Sequence, residues 1–465
     1  VARAENIGVP AESEDVMLQA FYWDSYTATK YGRTKWVDLL KDTATINASF
    51  DLVWLPPSAT SSGGVGYIPA QYSNQGDNGT AWGTKAKLTE LIAALHKGNT
   101  KVIADIVINH RGNKSNWCDF WQDDFGQYGT YQLNSTHICY GDEGFTNTSS
   151  TCYGSTNRGA ADTGTDFGGA RDLDHSNSYV QNWAKAYTQW MLNVMKYDGF
   201  RYDMTLGYAG QYLSAYNVAS QPYISVSEYW EGIERQLGHL EETGYNTMVF
   251  DFPLKYKLHD AIVGNHLGQL KNPSQSLRGN GKGKYAVTFI DNHDTFERSD
   301  NQGGEFYGYN ADLSLGTVKA KILMANAYIL MMPGIPCVFW PHWKSYTDEI
   351  NRLIEIRKQV GIHSESQVLS EEGQGNNYEA TIVGHRGRVI LRLGTARSQT
   401  VPEGYELGVN GVFLYPYAVY VKMGAEGVES LREDAAMGAE KFIRDGQLYI
   451  RCGEKIYNTT GQLLK

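Results

Sequence analysis

The stretch VTFIDNHDTFE, residues 287–297, changes character halfway. Val287, Phe289 and Ile290 read as a short buried strand. Asp291, Asn292, His293 and Asp294 then crowd four polar side chains onto its C-terminal end. A core strand needs none of them. In a regular strand His293 and Asp294 would face opposite ways, so both can serve one site only where the strand has already ended. A parallel barrel puts such an edge at its mouth.

Working outward, the same texture recurs. Apolar strands are expected at 16–23, 51–57, 101–109, 199–203, 223–228, 247–252, 286–291 and 335–340, with amphipathic helices between them. One helix puts Val180, Trp183, Ala184, Tyr187, Met191, Val194 and Met195 on one face. Another runs from an N-cap at Thr347 through Ile350, Leu353 and Ile354 to Gly361. Eight strand–helix alternations predict a (β/α)8 TIM barrel in two parts, 1–108 and 176–361. Residues 109–175 are Gly/Asn/Asp/Tyr-rich without a sustained period, too long for an ordinary loop, and read as a domain inserted after strand 3. Alternating strands after 361 predict a C-terminal antiparallel β domain at 362–424. A small tail module, 425–465, carries a hairpin signal at Asp445-Gly446.

Composition narrows the function. The 465 residues carry a formal net charge of -10 and no basic tract, which disfavours nucleic acid. No apolar run is long enough for a membrane span. The opening VARAENIGVPAESEDV is polar from its first residues, without a signal-peptide pattern, and leaves the compartment open. Thirty-two Tyr and 11 Trp offer flat faces with polar edges that suit sugar rings. Of five cysteines, Cys118, Cys139 and Cys152 share one polar stretch where a single disulfide can form. Cys337, in IPCVFW, reads as core.

Polar residues gather at strand ends: Asp105, Asn109 and His110 at strand 3, Arg201 and Asp203 at strand 4, Glu228 at strand 5, and the DNHD cluster at strand 7. Arg201 and Asp203 lie two apart and share a face, so the guanidinium is expected to lower the Asp203 pKa. Glu228 follows the apolar strand YISVS, where desolvation would raise its pKa. One ionised and one protonated carboxyl are what glycoside hydrolysis requires.

Four segments, DIVINH (105–110), GFRYDMTLG (199–207), SVSEYW (225–230) and FIDNHD (289–294), resemble the signature regions of the α-amylase family of glycoside hydrolases, family 13. GYIPAQY (66–72) and DTGTDFGGARDLDHSN (162–177) extend the resemblance, which covers about 16–424 and is nearest to short, plant-like members. It implies Asp203 as nucleophile, Glu228 as acid/base and Asp294 as the third carboxylate. It implies Tyr67, His110, Arg201, Trp230 and His293 at the sugar, with Tyr67 as platform and Trp230 on the leaving-group side. It also implies a Ca2+ site from Asn109, Asp166, Asp172 and the backbone oxygen of Gly207, all hard oxygen donors. Leu206 and Gly207 stand where many relatives carry Lys-His, which bears on product pattern. The tail looks like a hairpin module ending some secreted proteins of Gram-negative bacteria and favours export.

The expected activity is endo-hydrolysis of internal α-1,4 bonds in starch, glycogen or maltooligosaccharides, with retention, by a monomer. The rivals are an α-glucan transglycosylase of the same fold and a non-catalytic starch-binding protein.

Overall fold

The computed structural model describes residues 6–458 except 64, 272, 300–312, 395–399, 412–415, 425–438, 445–446 and 453–454. Eight parallel strands close a barrel: β1 Met17–Gln19, β2 Leu52–Trp54, β3 Lys101–Ile106, β4 Gly199–Tyr202, β5 Ser225–Ser227, β6 Met248–Phe250, β7 Ala286–Phe289 and β8 Ile335–Phe339. Neighbours in sequence are neighbours in space, and β8 pairs with β1. All eight expected strands are present, each shorter than expected and each ending earlier than expected. The strands read as apolar runs because both faces are covered, by barrel interior and by helices.

The helix Ser178–Asn193 starts at Asn177, whose side chain accepts from the Tyr179 N–H. It buries Val180, Trp183, Ala184, Tyr187 and Met191 as its period predicts. Val194 is 49% exposed instead, because the helix has ended before it. The helix Thr347–Val360 begins one residue earlier than expected: Tyr346 is the N-cap, and the Thr347 hydroxyl donates back to Trp343 O. Its C-cap is Gly361, at φ 77°, as expected. The helix Gly316–Met331 is buried nearly all round, as suits a helix packed between the barrel and the C-terminal sheet.

Between β3 and β4 the chain makes a long excursion built from short ribbons. Its two ends pair antiparallel, His110 beside Asp172 and Arg111 beside Arg171. This neck brings the residue after Asn109 against the far end of the excursion. Inside it, Arg111 and Asp123 form a buried ion pair at 2.9 Å, Arg171 pairs with Asp142, and Cys118 bonds to Cys152. Cys139 and Cys337 are buried free thiols.

Residues 368–423 form a five-stranded antiparallel sheet of Val368–Gln374, Asn377–Val383, Gly387–Leu393, Glu406–Gly411 and Tyr417–Met423. Tyr378, Ala380 and Ile382 alternate inward, and Glu371 ties the sheet to the barrel through Arg278 at 2.7 Å. A three-stranded sheet of Ala439–Arg444, Gln447–Cys452 and Lys455–Asn458 follows. Arg444 pairs with Gln447, so the paired strands flank the expected Asp445-Gly446 turn, which itself lies outside the described residues. Residues 425–438 and 459–465 of the expected tail module also lie outside them. Among the described residues no helix is long and apolar enough to cross a membrane.

Candidate active site

The site forms where β4, β5 and β7 run out at one end of the barrel. Arg201 lies beside Val226 and Tyr202 beside Ser227. Beyond this ladder, Asp203 N–H donates to Ile106 O at 2.9 Å and Glu228 N–H to Tyr202 O at 2.9 Å. The register therefore leaves Asp203 and Glu228 side by side at the rim.

Beneath them lies Arg201, 1% exposed. Its Nη1 is 2.9 Å from Asp105 Oδ1 and 2.6 Å from Asp203 Oδ1, and its Nη2 is 2.7 Å from Glu228 Oε1. One guanidinium is divided among three carboxylates. Burial raises the Asp203 carboxyl to about 7 and the Glu228 carboxyl to about 8, against the lowering pull of Arg201 on both. Asp105 is raised by burial to about 6. The expected lowering of Asp203 is thus outweighed, because a shared cation offsets only part of the cost of taking three acids out of water. Glu228 is raised, as its apolar strand suggested. Its other oxygen accepts the Met204 N–H at 2.9 Å.

Tyr67 donates its hydroxyl to Asp105 Oδ2 at 2.8 Å, and Trp54 Nε1 donates to the same oxygen at 3.0 Å. The Tyr67 ring stacks 5.1 Å from His293, with 11° between the planes. Trp23 continues this array, 4° from the plane of Tyr67 and 7° from that of His293. His293 Nδ1 is 2.9 Å from the Gln19 amide and its Nε2 3.2 Å from Asp294 Oδ2. With the amide donating, Nδ1 accepts and Nε2 carries the proton. Burial pushes His293 down to about 3 and His110 to about 4, so both rings stay neutral. His110 Nε2 donates to Tyr67 O at 2.8 Å, and the ring stacks on Phe167 at 4.0 Å. Arg298 reaches Asp294 Oδ1 at 2.8 Å and lies 3.4 Å over the Trp23 ring.

Of the eight residues expected at the chemistry, seven line one cavity of about 410 Å³; Arg201 lies below it, bonded to the acids rather than facing the cavity. β7 ends at Phe289 and Asp294 lies in a turn, with Asn292 Oδ1 accepting from the N–H of Asp294 and of Thr295. That turn lets His293 and Asp294 share the cavity. Trp23, Phe167, Met204 and Arg298 also line it and were not singled out from the sequence. Trp23 ends the stretch 16–23 expected as the first strand, and Phe167 stands in the segment 162–177, so those positions were their only signal. Arg298 reaches Asp294 across four residues of an irregular turn, a spacing that carries no pattern.

Beside the neck, carboxylate oxygens of Asp162, Asp166 and Asp172 lie within 4.8 Å of one another. Asp162 is an addition to the expected set. Burial, with Asp162, Asp142 and Asp166 nearby, pushes Asp172 up to about 8. One Asp162 oxygen is buried without a hydrogen-bond partner, and no Lys or Arg pairs with the three among the described residues. Asn109 Nδ2 lies 3.3 Å from Asp172 Oδ1, and a side chain on Gly207 would collide with the Asn109 amide. Crowded oxygen donors without a counter-cation fit a hard divalent ion.

Residues 47–241 match the family model described as "Alpha amylase, catalytic domain". "Probable alpha-amylase 2" of Arabidopsis thaliana is 28% identical over 433 residues, 88% of this chain and 95% of that one. "Alpha-amylase type B isozyme" of Hordeum vulgare is 32% identical over 142 residues, 30% of this chain and 80% of that one. The fold is similar to that of an alpha-amylase from Geobacillus thermoleovorans complexed with acarbose, at a TM-score of 0.57 and 16% identity, covering 89% of this chain and 99% of that one.

Proposed function

The chain belongs to the α-amylase family of glycoside hydrolases and acts on α-glucans, and from that premise we propose that it cleaves internal α-1,4 bonds with retention of configuration. The observation that carries this reading is the β4–β5 register. On that register Asp203 Oδ1 and Glu228 Oε1 lie 2.6 Å and 2.7 Å from the two terminal nitrogens of one Arg201 guanidinium, which holds the carboxyls close together, as suits retaining enzymes with carboxyls roughly 5–5.5 Å apart rather than inverting ones at roughly 6.5–9.5 Å. Asp203 attacks the anomeric carbon while the more strongly proton-binding Glu228 protonates the departing oxygen. The resulting sugar ester on Asp203 is then hydrolysed by water that Glu228, now a base, deprotonates. Asp294 holds the sugar hydroxyls, Tyr67 and His293 form the wall against the ring, His110 supports Tyr67, Trp230 borders the leaving group, and Arg201 positions the two acids.

In this reading Asn109, Asp162, Asp166, Asp172 and the Gly207 backbone oxygen would hold Ca2+, which would supply the counter-charge that ties the 109–175 domain to the barrel. The barrel parts 1–108 and 176–361, the β domain 362–424 and the tail 425–465 complete the proposed organisation. We read the protein as an exported monomer. The tail's resemblance and the Cys118–Cys152 bond, which an oxidising compartment favours, support export.

The test uses an α-glucosyl fluoride, whose leaving group needs little protonation. Glu228→Gln should lose starch hydrolysis yet form the ester from the fluoride, visible on Asp203 by mass spectrometry. Asp203→Asn should fail on both substrates, and wild-type products should first appear as the α anomer. A β product, or normal fluoride cleavage by Asp203→Asn, overturns the assignment.

A further inference from the structure

Two histidines stack at the end of the barrel opposite the active site. His363 follows the helix Thr347–Val360, and His385 stands in the turn between the strands Asn377–Val383 and Gly387–Leu393. Their ring centres lie 4.2 Å apart, with 11° between the planes. The N-terminal segment joins them. Ser13 N–H donates to Ser364 Oγ at 3.1 Å and Ser364 N–H to Ser13 O at 2.8 Å. Ser364 O accepts from the N–H of Gly334, just before β8, which places the group where the strands begin. An imidazole nitrogen of each histidine and a carboxylate oxygen of Glu12 lie within 4.8 Å of one another. Two such clusters occur among the described residues, and only this one contains imidazole.

The surroundings suit ligation. His385 Nδ1 is 2.8 Å from Glu14 Oε1. An ionised carboxylate only accepts, so Nδ1 carries the proton. In the neutral ring Nε2, 3.9 Å from Glu12 Oε2, then keeps its lone pair. A carboxylate behind the other ring nitrogen is the usual support of a metal-bound histidine. Burial and the neighbouring His385 hold His363 below its ordinary pKa, so that ring is neutral too. Its Nδ1 accepts only a long bond, 3.3 Å, from the Glu365 N–H, which a metal bond can replace. We propose that Glu12, His363 and His385 form a binding site for a divalent transition metal of the Zn2+ class. Two imidazoles and one carboxylate suit such an ion, whereas Ca2+ takes oxygen ligands. Tetrahedral ligands at about 2.0–2.2 Å from an ion lie roughly 3.4 Å apart, so the group closes on binding. Glu12 and His385, with side chains 66% and 38% exposed, make that move toward the buried His363. The ion ties together three segments remote in sequence. Only the folded chain presents all three ligands, so the ion stabilises the fold by mass action.

Calorimetric titration of Zn2+ into the full chain in saturating Ca2+ provides the test, because Ca2+ keeps oxygen-only sites occupied. The wild type should bind one Zn2+ more than His385→Ala does, and Zn2+ should raise the melting temperature of the wild type but not of that variant. Glu12→Gln should weaken this binding at least tenfold. Glu14→Gln keeps all three ligands and removes only the carboxylate behind His385, and should weaken it about 10–100-fold. Starch hydrolysis in Ca2+ alone reports that each variant has folded; should His385→Ala fail to fold, Glu12→Gln, a change at an exposed side chain, decides instead. Zn2+ binding with equal stoichiometry and affinity in the wild type and the variants, or no binding to the wild type, overturns the site.

Discussion

Arg201 shows how one residue sets the state of its neighbours. Burial makes three acids bind protons more tightly than they do in water, and the one charge of Arg201, shared among them, offsets only part of that. Asp203 rises from 3.8 to about 7. A carboxyl whose folded pKa lies above its unfolded value favours the fold at low pH, and that contribution is lost as pH rises from about 4 through the folded pKa. Asp203→Asn mimics the protonated form and still offers an oxygen to Arg201. Its melting temperature should exceed the wild type's near pH 8, and the difference should vanish near pH 4. Thermal unfolding followed at both pH values checks this, and an equal difference at both would contradict it. Removing Arg201 acts the other way. Arg201→Met strands three acids without a counter-charge and should cost roughly 3–5 kcal/mol, read from denaturant unfolding at neutral pH.

Among elements, the connections after the strands matter more than the strands. The turn Thr205–Gly207 after β4 packs so closely on Asn109 that no side chain fits at Gly207. Gly207→Ala should push Asn109 away from Asp172 and weaken calcium binding measured by titration calorimetry, while the far-UV spectrum stays that of the wild type. Wild-type affinity in that variant would remove Asn109 and Gly207 from the donor set. The helix Ser178–Asn193, by contrast, depends on a local cap. Asn177→Ala removes the acceptor for the Tyr179 N–H and should cost about 1 kcal/mol without changing kcat.

At the scale of the whole molecule, the 109–175 excursion is held by the His110–Asp172 neck, the Cys118–Cys152 bond and the buried Arg111–Asp123 and Arg171–Asp142 pairs, and its carboxylate cluster is the place where a metal would add to them. A metal bound only by the folded state adds stability by mass action. Chelator should therefore lower both the melting temperature and activity on starch, and added Ca2+ should restore both. Unchanged melting after thorough chelation, with no metal by elemental analysis, would remove calcium from this account.

The sequence by itself determined the barrel. Eight largely apolar runs are legible because each strand is covered on both faces. Asp203, Glu228, His293 and Asp294 were legible because polar residues ending such runs have no structural use. Val194 and Thr347 were misplaced because period and capping preference mark helix ends only to within a residue or two. Tertiary structure alone decided what depends on distances between remote segments. It paired Cys118 with Cys152 rather than Cys139, added Asp162 to the carboxylate cluster, and brought Trp23 and Arg298 to the cavity. It also reversed the expected direction for Asp203. Sequence shows Arg201 two residues away, but only packing shows the two other acids that share its charge and the burial that outweighs it.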